Sequence, residues 1–214
     1  MRFRTWTHRP STAAVLLAAV LATATTASAT EEQAKELFKA MSDYLAAQPA
    51  ISFDFDTSTE VVTTEGQKLA IANSGTTAFE RPDKFHATRV GGFAAVEMAF
   101  DGTTLRVYGR NANLYAEAEL PGTLDTLIDT LRDTYGRPLP AADLLVANVY
   151  DTLMPLVTDA KDLGSGVIRG QECDHLAFRT DEVDWQIWIA QGDAPHPCRF
   201  VITTREVEGM PQYT

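Results

Sequence analysis

Residues 173–190, CDHLAFRTDEVDWQIWIA, contain the clearest structural signal in the chain. Apolar and polar side chains alternate on both sides of an acidic turn, which is the pattern of two half-buried strands joined as a hairpin. Pairing the two strands about this turn places Leu176 opposite Ile187 and Phe178 opposite Trp185. The stretch therefore predicts an antiparallel sheet with one apolar face.

The same period of two residues begins much earlier and recurs in short runs separated by glycine-rich turns. Short turns join antiparallel neighbours, because a parallel pair needs a long crossover connection. The runs therefore predict a meander in one antiparallel sheet. The predicted strands are a run from Ile51, residues 68–80, Phe85–Val90, Phe93–Phe100, Thr104–Tyr108, Leu114–Ala118, Val167–Ile168, Cys173–Arg179, Asp184–Ala190 and Cys198–Arg205. The sequence ends at Thr214 without a cap or a polar tail, and we expect this C-terminal strand to be truncated.

Two segments carry a helical period instead. Residues 31–48 have one apolar stripe and end before Pro49, which predicts a helix packed on the sheet. An insert at about residues 123–158 interrupts the strands with short helices, the first of which can be capped by Thr123. The apolar stripe of that first helix comprises Leu124, Leu127, Ile128 and Leu131. The fold class is accordingly α+β, in a single domain over residues 30–214.

The N-terminal segment has the organisation of a cleavable signal peptide. Three arginines precede the apolar run at residues 13–22, and Ala27 and Ala29 fit an A-x-A cleavage site. A helix of that run is only about half as long as a bilayer core is thick, so a permanent anchor is not expected. We predict cleavage near Ala29 and export to the periplasm. Cleavage would leave 15 of the 18 basic residues against 29 acidic ones, a net charge of −14, which argues against nucleic acid as a partner.

Cys173 and Cys198 would lie in an oxidising compartment, where cysteines usually pair. In the simplest register both face Ala190 from either side of its strand, about 9.5 Å apart and beyond the roughly 7 Å limit for a disulfide. A slipped register would bring them together. The disulfide therefore stays open as one of two alternatives.

The sequence offers little for catalysis or for metal binding. The predicted mature chain has only three histidines, His86, His175 and His196, with no H-x-x-x-H or C-x-x-C spacing, so no metal site is predicted. Phosphate-binding and dinucleotide-binding motifs are missing, and no cofactor is expected. The stretch Gly164-Ser165-Gly166 lacks the outer spacing of a nucleophile elbow and is interpreted as a turn.

The chain resembles the DUF2092 family of predicted periplasmic proteins, in the superfamily of LolA- and LolB-like lipoprotein carriers. The most specific residues are those of the two segments CDHLAFR and DWQIWI, which begin at Cys173 and Asp184. RPDKF from Arg81 and the FDG motif from Phe100 are looser matches. The resemblance covers essentially the whole mature chain. It implies a half-open antiparallel β-barrel of about 10–11 strands wrapped around a helical lid, with an apolar cavity between them, and a further strand after Tyr213.

These observations predict a non-enzymatic periplasmic carrier that holds an acyl chain, a lipid or a lipidated protein between the half-barrel and the lid at 123–158. The residues expected to line the cavity are Phe53, Phe55, Phe93, Leu127, Leu131, Phe178 and Trp185. One alternative is an envelope protein-interaction or stress-sensing module with a closed core. Another is an unrecognised hydrolase that uses His175 with Asp174.

Overall fold

The computed structural model describes residues 31–136 and 141–214, so the predicted signal peptide lies outside the described residues. Three α-helices are formed by Glu31–Ala46 (α1), Leu124–Asp133 (α2) and Val149–Leu153 (α3), with short 3₁₀ segments at Ala142–Leu145 and Met154–Leu156. The strands are β1 (Ala50–Val62), β2 (Lys68–Glu80), β3 (Lys84–Gly91), β4 (Ala95–Phe100), β5 (Thr104–Gly109), β6 (Leu114–Glu119), β7 (Asp159–Ile168), β8 (Gln171–Arg179), β9 (Val183–Ala190), β10 (Pro197–Thr204) and β11 (Gln212–Tyr213).

All eleven strands belong to one antiparallel sheet in the order β6-β5-β4-β3-β2-β1-β11-β10-β9-β8-β7. The sheet is open, because β6 and β7 are its two edges. The predicted meander is confirmed, and so is the register in which Leu176 faces Ile187 and Phe178 faces Trp185. The helices pack on one face of the sheet, called the inner face below, which gives a half-barrel with a helical lid.

Strand β7 is much longer than the sequence predicted. The expected strand at Val167–Ile168 begins at Asp159, and the stretch Gly164-Ser165-Gly166 lies inside it instead of forming a turn after a helix. A register shift between Asp162 and Ser165 explains the error. Such a bulge interrupts the alternation of apolar and polar residues by which a strand is recognised.

The inner face carries two hydrophobic cores, which share no buried residue but both contact Ile51. In the first, α1 lies on β7, β8 and β9, and its Phe38 and Met41 side chains are completely buried. The rings of Phe178 and Trp185 stack with centroids 4.1 Å apart and both contact Phe38. This core therefore joins the N-terminal helix to the last third of the chain.

The second core lies under α2, at the other side of the sheet. It comprises Phe79, Phe100, Leu105, Leu124, Leu127 and Leu131, and all six are buried. Thr123 caps α2, since its hydroxyl accepts a hydrogen bond from the backbone of Thr126. The first helix of the predicted insert is thus confirmed as a cover over the β2–β5 half of the sheet.

A bulge in β10 decides the position of the two cysteines. Cys173 is paired with Ala190 as predicted, but the register between β9 and β10 shifts between Pro197 and Arg199, around Cys198. The two Sγ atoms approach to 2.9 Å without being bonded. Burial, together with the neighbouring Cys173, raises the pKa of the Cys198 thiol to about 12. Few thiolates are then present at neutral pH, so oxidation would need an exchange partner.

We predict that Cys173 and Cys198 form a disulfide in protein taken from an oxidising compartment. The cross-link would stabilise the fold by about 3 kcal/mol, or about 6–12 °C in melting temperature. The double variant Cys173→Ala/Cys198→Ala should melt lower than the wild type by that amount and at the same temperature as the reduced wild type. Titration of two free thiols per chain in the oxidised preparation would contradict the prediction.

Candidate functional site

The space beneath the lid is almost filled. A cavity between α2 and the sheet has a volume of about 30 Å³ and is lined by Phe79, Phe85, Leu124, Leu127, Ile128, Leu131, Ala142 and Leu145. Sites for small molecules usually measure about 300–1,000 Å³. An acyl chain therefore enters this space only if α2 moves away from the sheet.

Arg81 connects the sheet to the lid insert. Its Nη2 donates a hydrogen bond to the carbonyl oxygen of Leu145 at 3.0 Å, and its guanidinium lies 5.2 Å from the ring centroid of Phe79. Burial lowers the pKa of Arg81, and its Nε atom is buried without a hydrogen-bond partner among the described residues. Arg81 thus adds one side-chain hydrogen bond to the backbone bond from Leu124 to Pro82 that also joins the insert to this part of the sheet. In the sequence, Arg81 was notable only as the first residue of the RPDKF segment. Nothing there indicated that its side chain contacts the lid insert.

Beyond the lid, the inner face of β1–β6 forms two cross-strand rows that we call the shelf. The register of the strands defines both rows. The row nearer to α2 is Phe53, Thr77, Ala87, Met98, Val107 and Ala116. The farther row is Phe55, Gly75, Arg89, Val96, Gly109 and Leu114.

The shelf is largely apolar and only partly covered. Met98 and Val107 pack against the core under α2, so the nearer row continues the lining of the lid cavity. Phe53 and Leu114 are 40% and 68% exposed and belong to neither core. The shelf is therefore an apolar surface that begins at the lid and runs outward along the half-barrel.

Gly75 gives the farther row its shape. A Cβ atom at this position would lie 2.0 Å from the backbone oxygen of Thr88 and 2.6 Å from Cζ of Phe55. Both distances are far below contact, so the ring of Phe55 reaches over a position that only glycine can occupy. The ring fills the space above Gly75 and lies beside Arg89, which is the partner of Gly75 on the next strand.

The seven residues predicted to line a cavity are found in four places. Phe53 and Phe55 lie on the shelf, and Leu127 and Leu131 lie beside it in the lid. Phe178 and Trp185 are buried under α1, in the other core. Phe93 is 82% exposed in the turn between β3 and β4. Contact of these residues with a ligand remains a prediction. The sequence missed Val107, Met98 and Arg89, which only the register identifies as inward-facing.

The residues of the hydrolase alternative lie on opposite faces of β8. His175 stacks on Trp188 with ring centroids 3.9 Å apart, and its Nε2 atom lies 2.9 Å from Oε1 of Gln186. Asp174 accepts a hydrogen bond from the side-chain amide of Gln191 instead. Adjacent residues of a strand point to opposite faces, so the two side chains do not form an acid–base pair. Within residues 31–136 and 141–214, no group of three metal-ligating side chains converges.

The structure is an open antiparallel half-barrel with a helical lid and a partly exposed apolar inner surface. The chain belongs to the DUF2092 family, described as predicted periplasmic proteins, whose model matches residues 34–214. The expected resemblance is thereby confirmed. None of the described helices has the length and hydrophobicity needed to span a bilayer. No functionally curated protein matches the sequence.

The comparison with solved structures finds several that are similar to this chain. The lipoprotein LppX of Mycobacterium tuberculosis superimposes with a TM-score of 0.51 at 15% identity, over 86% of this chain and 92% of that one. LprF of Mycobacterium bovis gives 0.48 at 11% identity, over 87% and 91% of the two chains. A putative outer membrane lipoprotein-sorting protein domain of Vibrio parahaemolyticus gives 0.37 at 8% identity, over 85% and 75%. At these identities the likeness is one of fold.

Proposed function

We propose that this protein is a non-catalytic periplasmic carrier that holds the acyl chain of a lipid or of a lipidated protein on the shelf. The observation that carries the proposal is the exposed apolar surface of the inner face, which starts at the lid cavity and continues beyond it. Carriers need such a surface because burial contributes about 0.8 kcal/mol for each CH₂ group removed from water. A long chain then binds tightly without directional contacts.

The arrangement of the lid fits loading and release. The buried residues of α2 all belong to the second core, and of its apolar residues only Ile128 packs against the core under α1, so few contacts with that core are lost when α2 lifts. The contact of Arg81 with Leu145 is one hydrogen bond, which contributes about 0.5–1.5 kcal/mol. A ligand that lies on the nearer row and extends beneath α2 would replace these contacts with its own.

A pair of valines tests the proposal. Val107 lies on the shelf, whereas Val90 is 51% exposed on the outer face of β3, two strands away. We expect Val107→Asn to weaken binding of a fluorescent fatty acid at least about tenfold, because the amide would be buried against the chain. Val90→Asn should leave binding unchanged. If both variants bound the fatty acid with the affinity of the wild type, the shelf would not be the binding surface.

The rival reading is a protein-interaction or stress-sensing module whose inner face is never occupied. Native mass spectrometry of protein purified from a periplasm, followed by lipid extraction, separates the two readings. The carrier should show an adduct that extracts as lipid or fatty acid. A bare polypeptide mass, together with failure to take up a fluorescent fatty acid, would favour the interaction module.

A further inference from the structure

The charges of β1–β6 are distributed very unevenly between the two faces. On the outer face, carboxylates and cations form pairs such as Arg106 with Glu117 and Arg110 with Glu97. On the inner face, the register leaves a single charged residue in these six strands, Arg89. The chain as a whole has 29 acidic residues, and none of them points inward from these strands.

Arg89 is also unpaired. Across residues 31–136 and 141–214, no carboxylate lies within ion-pair distance of its guanidinium, although most arginines of the sheet have such a partner. Its neighbours in the farther row are Gly75 and Val96, so an exposed charge lies among apolar residues of the shelf. Because Arg89 has no ion-pair partner among the described residues, an ion pair within the fold does not explain why a cation lies on this apolar surface.

Tyr213 supplies a second polar group on the same face. It is paired with Thr59 of β1, which also points inward. Burial raises the pKa of the Tyr213 hydroxyl, and the positive charge of Arg89 acts on it in the opposite direction. The positive charge of Arg89 therefore acts along the inner face as far as β11.

We propose that Arg89 binds the anionic headgroup of the ligand, so that the ligand is an amphiphile with a carboxylate or phosphate at the end of its chain. This inference rests on the proposed function, since the chain must lie on the shelf for its headgroup to reach Arg89. A guanidinium matches a carboxylate or a phosphate through parallel hydrogen bonds. The headgroup then lies at Arg89, and the chain crosses from the farther row to the nearer row toward α2.

The test compares three ligands with the same chain length: palmitate, 1-hexadecanol and dipalmitoyl phosphatidylglycerol. Dissociation constants are measured by displacement of a neutral fluorescent alkyl probe from the wild type and from Arg89→Met, Arg89→Lys and Lys84→Met. Lys84 is the matched control, because it is a cation on the same strand that faces outward. We expect the wild type to bind palmitate about tenfold more tightly than hexadecanol. Arg89→Met should lose that preference, Arg89→Lys should retain most of it, and Lys84→Met should retain all of it.

The remaining ligand distinguishes the two sources of the anion. An Arg89-dependent preference for phosphatidylglycerol over palmitate assigns the site to a phospholipid phosphate, and the reverse order assigns it to a free carboxylate. Equal binding of palmitate and hexadecanol, unaffected by Arg89→Met, would overturn the role of Arg89 while leaving the carrier intact. Failure of the wild type to bind any of the three would overturn the carrier function and this inference together.

Discussion

Phe38→Ala is expected to lower the free energy of unfolding by about 3–5 kcal/mol, the range for truncating a buried phenylalanine. The ring of Phe38 has no exposed surface, and its centroid lies 5.5 Å from that of Phe178 and 5.2 Å from that of Trp185. Its loss would leave a cavity where α1 meets the sheet. Chemical denaturation followed by tryptophan fluorescence measures the effect, because Trp185 is part of the same cluster.

The chain offers a control with the same substitution. Phe93 is 82% exposed in a turn, so Phe93→Ala should change the stability by less than about 0.5 kcal/mol. Similar losses in the two variants would mean that α1 does not occupy its position on β7–β9 in solution.

The double variant Leu127→Asp/Leu131→Asp should release α2 from the sheet and abolish binding of a fluorescent fatty acid. Both leucines are buried, at 4% and 8% exposure. A buried carboxylate without a partner costs several kcal/mol, more than the packing of one short helix provides. The core under α1 contains neither leucine, so the sheet signal in circular dichroism should persist. Hydrogen exchange should rise in α2 and stay slow in α1.

Tyr135→Asp provides the comparison, because Tyr135 follows α2 and is 50% exposed. This variant should exchange and bind like the wild type. If the double leucine variant still bound the fatty acid, this result would contradict the assignment of α2 as a lid. Loss of the sheet signal in that variant would show that the two cores do not behave independently.

Much of the fold could be predicted because alternation over a strand depends on local spacing alone. The hairpin of Leu176 and Ile187 was placed in the correct register from two strands and a short turn. Phe93 was placed in a strand by the same rule and wrongly so, because it lies in the turn before β4 and is 82% exposed. Aromatic character alone does not reveal the face on which a residue lies.

The remaining errors arise from information that is not local. The bulge around Cys198 shifts the pairing of β10 with β9 by one residue. No turn or glycine at this position of the sequence indicates the shift. The division into two cores depends on α1 crossing to the strands farthest away in sequence, which periodicity cannot indicate. For that reason Phe178 and Leu127 were expected to share a cavity although they lie under different helices.

The position of α1 also sets a constraint on how the molecule forms. A ribosome or an export channel delivers α1 before its binding surface, because β7, β8 and β9 follow only after six strands and the lid insert. Until then Phe38 and Met41 lack the surface on which they are buried, and contacts between such distant segments form slowly. The helix therefore cannot reach its final packing before β9 has been delivered, and the arrival of β9 is the event that permits this core to form.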